Sequence, residues 1–144
     1  MLTVIAFRIG QQQFSVNVEN VREIRGRMDI SPLAHAPAHV LGIVELRGQV
    51  IPVLDVGRCL GLEMSGCAAG SAVIVAENDG KMVGLLVDDV SDMISVSDEN
   101  IQPVPRIGPE SEHACLSAIL VLDTHLVTHL DLPALTGGKD VLAA

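Results

Sequence analysis

At 144 residues, with 49% apolar side chains, the chain can bury about two-thirds of its unfolded surface as one domain or as two small intertwined units, without disulfide or metal. A net charge of −9 and an aromatic complement of only Phe7 and Phe14 exclude a basic phosphate-binding face, a base-stacking platform and an aromatic cage, so no nucleic-acid partner is expected. The longest apolar runs, such as Ala118 to Leu122, cannot span a bilayer, and Met1 to Phe7 has no basic start and no cleavage site; a cytoplasmic protein without direct membrane insertion is expected.

The 19 Val and 11 Ile together exceed the 17 Leu, which favours pleated strands. In chain order, Ile5 to Ile9 reads as a strand closed by Gly10, and Gln11 to Gln13 as a turn. Phe14 to Val18 alternates apolar and polar as a second strand. Glu19 to Ile24 reads as a short helix. Val50 to Val56 is a strand, followed by a short helix from Asp55 to Leu60 with Gly61 as its C-cap. Ala72 to Ala76, Met82 to Val87 and Ala118 to Leu122 are further strands bounded by Gly, Pro, Asn or Asp. Asp131 to Leu135 reads as a last helical turn that stops at Gly137-Gly138, where a frayed tail, 137–144, begins.

The chain also repeats itself. Phe14 to Ile24 aligns without gaps on Val83 to Met93, Ile30-Ser-Pro32 on Ile101-Gln-Pro103, Gly42 to Leu46 on Ala118 to Leu122, and Val53 to Val56 on His129 to Leu132. Two similar units of about five strands follow, and small closed barrels hide their edges best. The blocks divide the single domain 1–144 at roughly 12–66 and 67–136, with the N-terminal strand 3–9 free to join either. Where the halves differ, the fold does not dictate the residue. Leu46-Arg47-Gly48 faces Leu122-Asp123-Thr124, so Arg47-Gly48 belongs to one half only. Gly48 is expected at positive φ in a hairpin turn, with Arg47 at its mouth.

Little here suits catalysis. His35 and His39 are four apart, but Pro37 between them breaks a helix. His125, His129 and Asp131 share a strand spacing that could bring them to one face, which makes a metal-dependent β-barrel hydrolase the alternative reading. The repeat sets His129 opposite Val53 and Asp131 opposite Asp55, which favours ordinary strand and capping roles. Asp88, Asp89 and Asp92, matched by Glu19, Asn20 and Glu23, read as a solvated ridge without calcium-loop spacing. Cys59, Cys67 and Cys115 read as small buried thiols. No Gly-rich phosphate loop occurs. No catalytic residue, metal or cofactor is expected.

Two stretches carry a resemblance. Val21-Arg-Glu23-Ile24-Arg25 and then Pro37-Ala-His-Val40-Leu-Gly42-Ile43-Val-Glu-Leu46-Arg47-Gly48-Gln-Val50-Ile51-Pro52-Val53-Leu54-Asp55-Val56 closely resemble the CheW-like chemotaxis coupling proteins. Val83 to Asp92, Ile101 to Pro105, Ala118 to Leu122 and Leu130-Asp131 fit as well, so the likeness covers roughly residues 4 to 135. It implies an all-β fold of two SH3-like five-stranded barrels with short helical segments. It further implies a non-enzymatic adaptor that joins the cytoplasmic hairpin tip of chemoreceptors to the regulatory domain of a histidine kinase. The adaptor would be a monomer in solution, recruited to membrane-anchored arrays where it forms rings. Receptor contact falls by resemblance on Val21, Glu23, Gly42, Arg47 and Gly48, with Gly42 admitting close backbone approach. Kinase contact falls on Arg25, Ile30, Leu33 and Leu41, with a second ring contact at Gln102, Pro103, Pro105 and Ile107. The family usually has Asn where this chain has Glu45, and Pro where it has Ala34. Glu45 would hold Arg47 or oppose an acidic partner, an effect of about 0–1 kcal/mol that tunes recognition. The same fold could serve a motility or second-messenger pathway instead of flagellar taxis.

Overall fold

A computed structural model describes residues 1–26, 28–35, 40–60, 71–105 and 115–135. Eleven strands follow in order: β1 Leu2–Ile9, β2 Gln12–Asn17, β3 Val21–Arg25, β4 Val40–Leu46, β5 Gln49–Asp55, β6 Ala72–Asn78, β7 Lys81–Val87, β8 Asp89–Val96, β9 Ile101–Gln102, β10 Leu116–Val121 and β11 Leu126–Leu130. Two single-turn helices, α1 Val56–Cys59 and α2 Leu132–Leu135, follow β5 and β11. Asp55 caps the first through a 3.0 Å bond from the Arg58 amide, and Asp131 caps the second. Gly61 and the 137–144 tail lie outside the described residues. Among those described, no helix is long and apolar enough to cross a membrane.

Glu19 to Ile24 is not a helix. The Asn17 side chain accepts from the Glu19 amide at 2.9 Å and closes one 3-10 turn over Val18–Asn20. Val21 is then extended, and β3 pairs with β6. β-Branched Val21 and Ile24 fit the pleat better than a helix. The first turn is also tighter than expected: Ile9 pairs with Gln12, so only Gly10-Gln11 form the loop.

The strands form two SH3-like barrels. Sheet I runs β8-β1-β2-β11-β10-β9 and sheet II runs β3-β6-β7-β5-β4. Sheet I has six strands where five were expected, the extra one being two-residue β9. Neither sheet is a contiguous block such as 12–66 or 67–136. The hairpin β1–β2 of the first half joins β8 to β11 of the second, while β6–β7 joins β3 to β5. The repeat thus survives with its hairpins exchanged. Gly42 pairs with Val53 as Ala118 pairs with His129, and each ladder bulges just before that pair. Arg22 bulges opposite β6 as Ser91 does opposite β1. The isolated bridge Ser31–Ile43 is the counterpart of Gln102–Ile119.

Alternation sorts side chains into three cores. On β6, Val73 and Val75 point into barrel II, while Ile74 and Ala76 point into a central core shared by both sheets. That central core holds Phe7, Phe14, Leu54, Leu85 and Leu130. A third cluster, Val4, Val96, Leu120 and Val127, fills barrel I.

Candidate partner-binding site

The β4–β5 hairpin turns in two residues, because Leu46 pairs with Gln49. Both loop residues have positive φ, Arg47 at 54° and Gly48 at 80°. That is the geometry that follows the twist of a two-residue hairpin. Gly48 adopts it freely, whereas a side chain there costs roughly 1–2 kcal/mol, so Arg47 holds a conformation that the hairpin requires and its own side chain disfavours.

A carboxylate from β3 receives the arginine. Glu23 follows the Arg22 bulge, and its side chain is 20% exposed against 76% for Arg47. Arg47 Nη1 lies 2.8 Å from Glu23 Oε1, a close ion pair without hydrogen-bond alignment. Arg25 Nη1 reaches Glu23 Oε2 at 3.3 Å. One half-buried carboxylate therefore collects two guanidinium groups, and exposed Ile24 and Val50 lie on the same strands.

The sequence-predicted residues fall into place unevenly. Glu23 and Arg47 meet, with Val21 on the same strand and Gly48 beside Arg47. Arg25, assigned by resemblance to the kinase side, belongs to this group through Glu23. The partner of Arg47 is Glu23, not exposed Glu45. Gly42 is buried, and a Cβ on it would sit 2.1 Å from the Ser31 carbonyl oxygen. The chain's own backbone fills the space that had been expected for a partner. Ile30 and Leu41 are half-buried against the barrel II core, which leaves Leu33 as the exposed apolar residue of that set. Gln102, Pro103 and Pro105 are exposed at the β9 edge, and Ile107 lies outside the described residues.

A family model described as the CheW-like domain matches residues 3–139. The chain belongs to the CheW-like family. It is 44% identical over 98% of its length to the probable chemotaxis protein CheW of Rhizobium etli, and covers 91% of that protein. The chemotaxis protein CheW of Rhizobium meliloti is 40% identical over the same shares. The crystal structure of scaffolding protein TtCheW from Thermoanaerobacter tengcongensis matches with a TM-score of 0.89 at 26% identity, covering 98% of this chain and 97% of that one.

In this CheW-like chain the His125, His129 and Asp131 constellation does not converge. His125 Nδ1 bonds Thr124 Oγ1 at 2.8 Å in solvent. His129 Nδ1 bonds Ser15 Oγ at 2.8 Å in the interior, and Asp131 caps α2. His39 is outside the described residues, and no group of three or more His, Cys, Asp or Glu among those described could hold a metal ion. The acidic ridge is partly turn chemistry: Asp88 accepts from the Gly10 amide at 2.7 Å, and Asp92 from Met93 at 2.8 Å. Cys115 is half-buried, and burial together with the nearby Asp131 pushes its thiol up, away from a reactive thiolate. The Ser15–His129 bond had escaped sequence reasoning; the signal was two polar residues aligned on Gly84 and Val53 of the other half.

Proposed function

We propose that this chain is a non-enzymatic adaptor that couples the cytoplasmic hairpin tip of chemoreceptors to the regulatory domain of a chemotaxis histidine kinase. Arg47 carries the reading. It is a long cationic side chain, 76% exposed, in a left-handed turn position that costs folding free energy, and the other half has Asp123 there. Such a residue makes sense as a preorganised contact: Glu23 limits its rotamers before a partner arrives, which lowers the ordering cost of binding. Val21, Glu23 and Gly48 complete the receptor side, while Gly42 shapes the strand from within. Exposed Leu33, with half-buried Ile30 and Leu41, supplies the apolar part of the kinase contact, and Arg25 a polar part. Gln102, Pro103 and Pro105 form the second ring contact. Recruitment from the cytoplasm to membrane-anchored arrays follows from those partners.

The test is affinity capture with this chain from lysate of its own organism, read by mass spectrometry and repeated with Arg47→Ala. Wild type is expected to recover a chemoreceptor and a histidine kinase. Arg47→Ala is expected to lose about tenfold in receptor recovery, a loss of about 1.4 kcal/mol. Its melting temperature is expected to move by less than about 3 °C, since Arg47 itself is exposed and Arg25 still faces Glu23 once it is gone. Recovery of neither partner by wild type would end the coupling reading. A melt shifted by many degrees would make Arg47 a structural residue instead.

A further inference from the structure

Each sheet joins its two antiparallel parts by an equivalent parallel seam, and the two seams differ in chemistry. In sheet II, β5 meets β7 through Val53–Gly84, Leu54–Leu85 and Asp55–Leu86. In sheet I, β2 meets β11 through only Thr128–Phe14 and His129–Ser15. By the repeat, Ser15–His129 stands where sheet II has Gly84–Val53. Ser15 is fully buried and His129 is 9% exposed, with a 2.8 Å bond between them. Alternation turns both away from the central core, His129 to the side of Val127 inside barrel I. That interior is also thinner: its cluster counts four buried apolar residues against seven in barrel II, among the described residues.

We propose that the β2–β11 seam is a proton-sensitive joint, where protonation of His129 loosens sheet I while sheet II stays closed. Protonation puts a positive charge on a ring that is 9% exposed, whose Nδ1 already meets the Ser15 oxygen and whose face of β11 also carries Val127 of the apolar barrel lining. The charged groups around the ring offer little relief. β2 brings Gln12, Gln13, Ser15 and Asn17, and β10 brings Ser117, none of them charged. Val4, Val96, Leu120 and Val127 line the interior. Asp131, just past β11, favours the cation, and Cys115 lies against the same carboxylate. Burial outweighs Asp131 and holds the imidazole below its ordinary value of 6.5. The unfolded chain therefore binds the proton more readily. The stabilisation is complete above pH 6.5 and is lost as pH falls from there through the folded value. On the adaptor reading, acid would weaken the sheet I contact at Gln102 and Pro103 before the Arg47 contact.

Hydrogen exchange on the full chain at pH 7.5 and 5.5, corrected for intrinsic rates, tests the joint directly. Protection of β2 and β11 amides is expected to fall about tenfold, while β5 and β7 amides keep theirs. The double variant Ser15→Gly, His129→Val, which installs the sheet II pair, is expected to abolish that difference. Should the variant fail to fold, a proton NMR titration of wild type decides, with His129 expected to titrate below the ordinary histidine value of 6.5. Equal loss in both seams, or His129 titrating at or above 6.5, would overturn the joint and leave the adaptor reading untouched.

Discussion

Phe7→Ala is expected to lower the melting temperature by on the order of 10 °C while leaving one cooperative transition. Phe7 is fully buried on β1, in register with Phe14 on β2 and Val90 on β8. Its ring lies 6.2 Å from that of Phe14, with 28° between planes. Truncating a buried Phe typically costs about 3–5 kcal/mol, since neighbours only partly fill the void. Strands from both sheets line this void, so relaxation in one is resisted by the other. The exchanged hairpins add a second constraint: sheet I cannot unfold without pulling away β1–β2, which feed directly into β3 of sheet II. A differential scanning calorimetry trace with two separated peaks, or a shift under about 3 °C, would show that the central core does not couple the sheets. Phe14→Leu, which keeps most of the volume, is expected to cost about 1 kcal/mol.

Strands β1, β2, β5, β6, β7 and β10 were legible because alternation and β-branched content are local, whereas β3 reads as a helix and β4 and β8 were passed over; the repeat was legible because equivalent positions meet equivalent neighbours. Gly42 and Ala118 lie opposite Val53 and His129 as the alignment requires. The exchange of hairpins was not legible. The connection from β2 to β3 is a single 3-10 turn either way, and nothing local to residues 12–20 says which barrel β1–β2 will enter. That choice is made by pairs far apart in sequence, Ser15 with His129 and Gly84 with Val53. At the site, the Arg47-Gly48 turn could be read from its glycine and from its absence in the other half. The Glu23–Arg47 pair depends on the bulge at Arg22 that turns Glu23 toward the hairpin, a feature without a sequence signature. β9 was missed for its length, since two residues carry no period.

Gly42→Ala is expected to destabilise the chain by about 2–4 kcal/mol, measured by urea unfolding, because it drives a methyl group into backbone. The added Cβ would lie 2.1 Å from the Ser31 carbonyl oxygen, 2.8 Å from its carbon and 3.0 Å from Ile30 Cγ2. No rotamer relieves a clash with a main-chain oxygen. Ser31 must retreat, and with it the reciprocal bonds from the Ser31 amide to the Ile43 oxygen at 2.9 Å and from the Ile43 amide to the Ser31 oxygen at 2.8 Å. Gly84 is the useful contrast. A Cβ there meets side-chain methyls, Val73 Cγ1 at 3.1 Å and Val53 Cγ2 at 3.2 Å, which can shift by the few tenths of an ångström required. Gly84→Ala is expected to cost about 1 kcal/mol. The difference separates shape from contact at the binding face. Ile30 adjoins Ser31 and Leu33 lies two residues on, so Gly42→Ala is expected to displace the proposed kinase contact and to reduce recovery of kinase and receptor together. Arg47→Ala is expected to reduce mainly the receptor. If Gly42→Ala melts like wild type yet loses the receptor alone, the Ser31 segment yields freely, and Gly42 touches the partner directly.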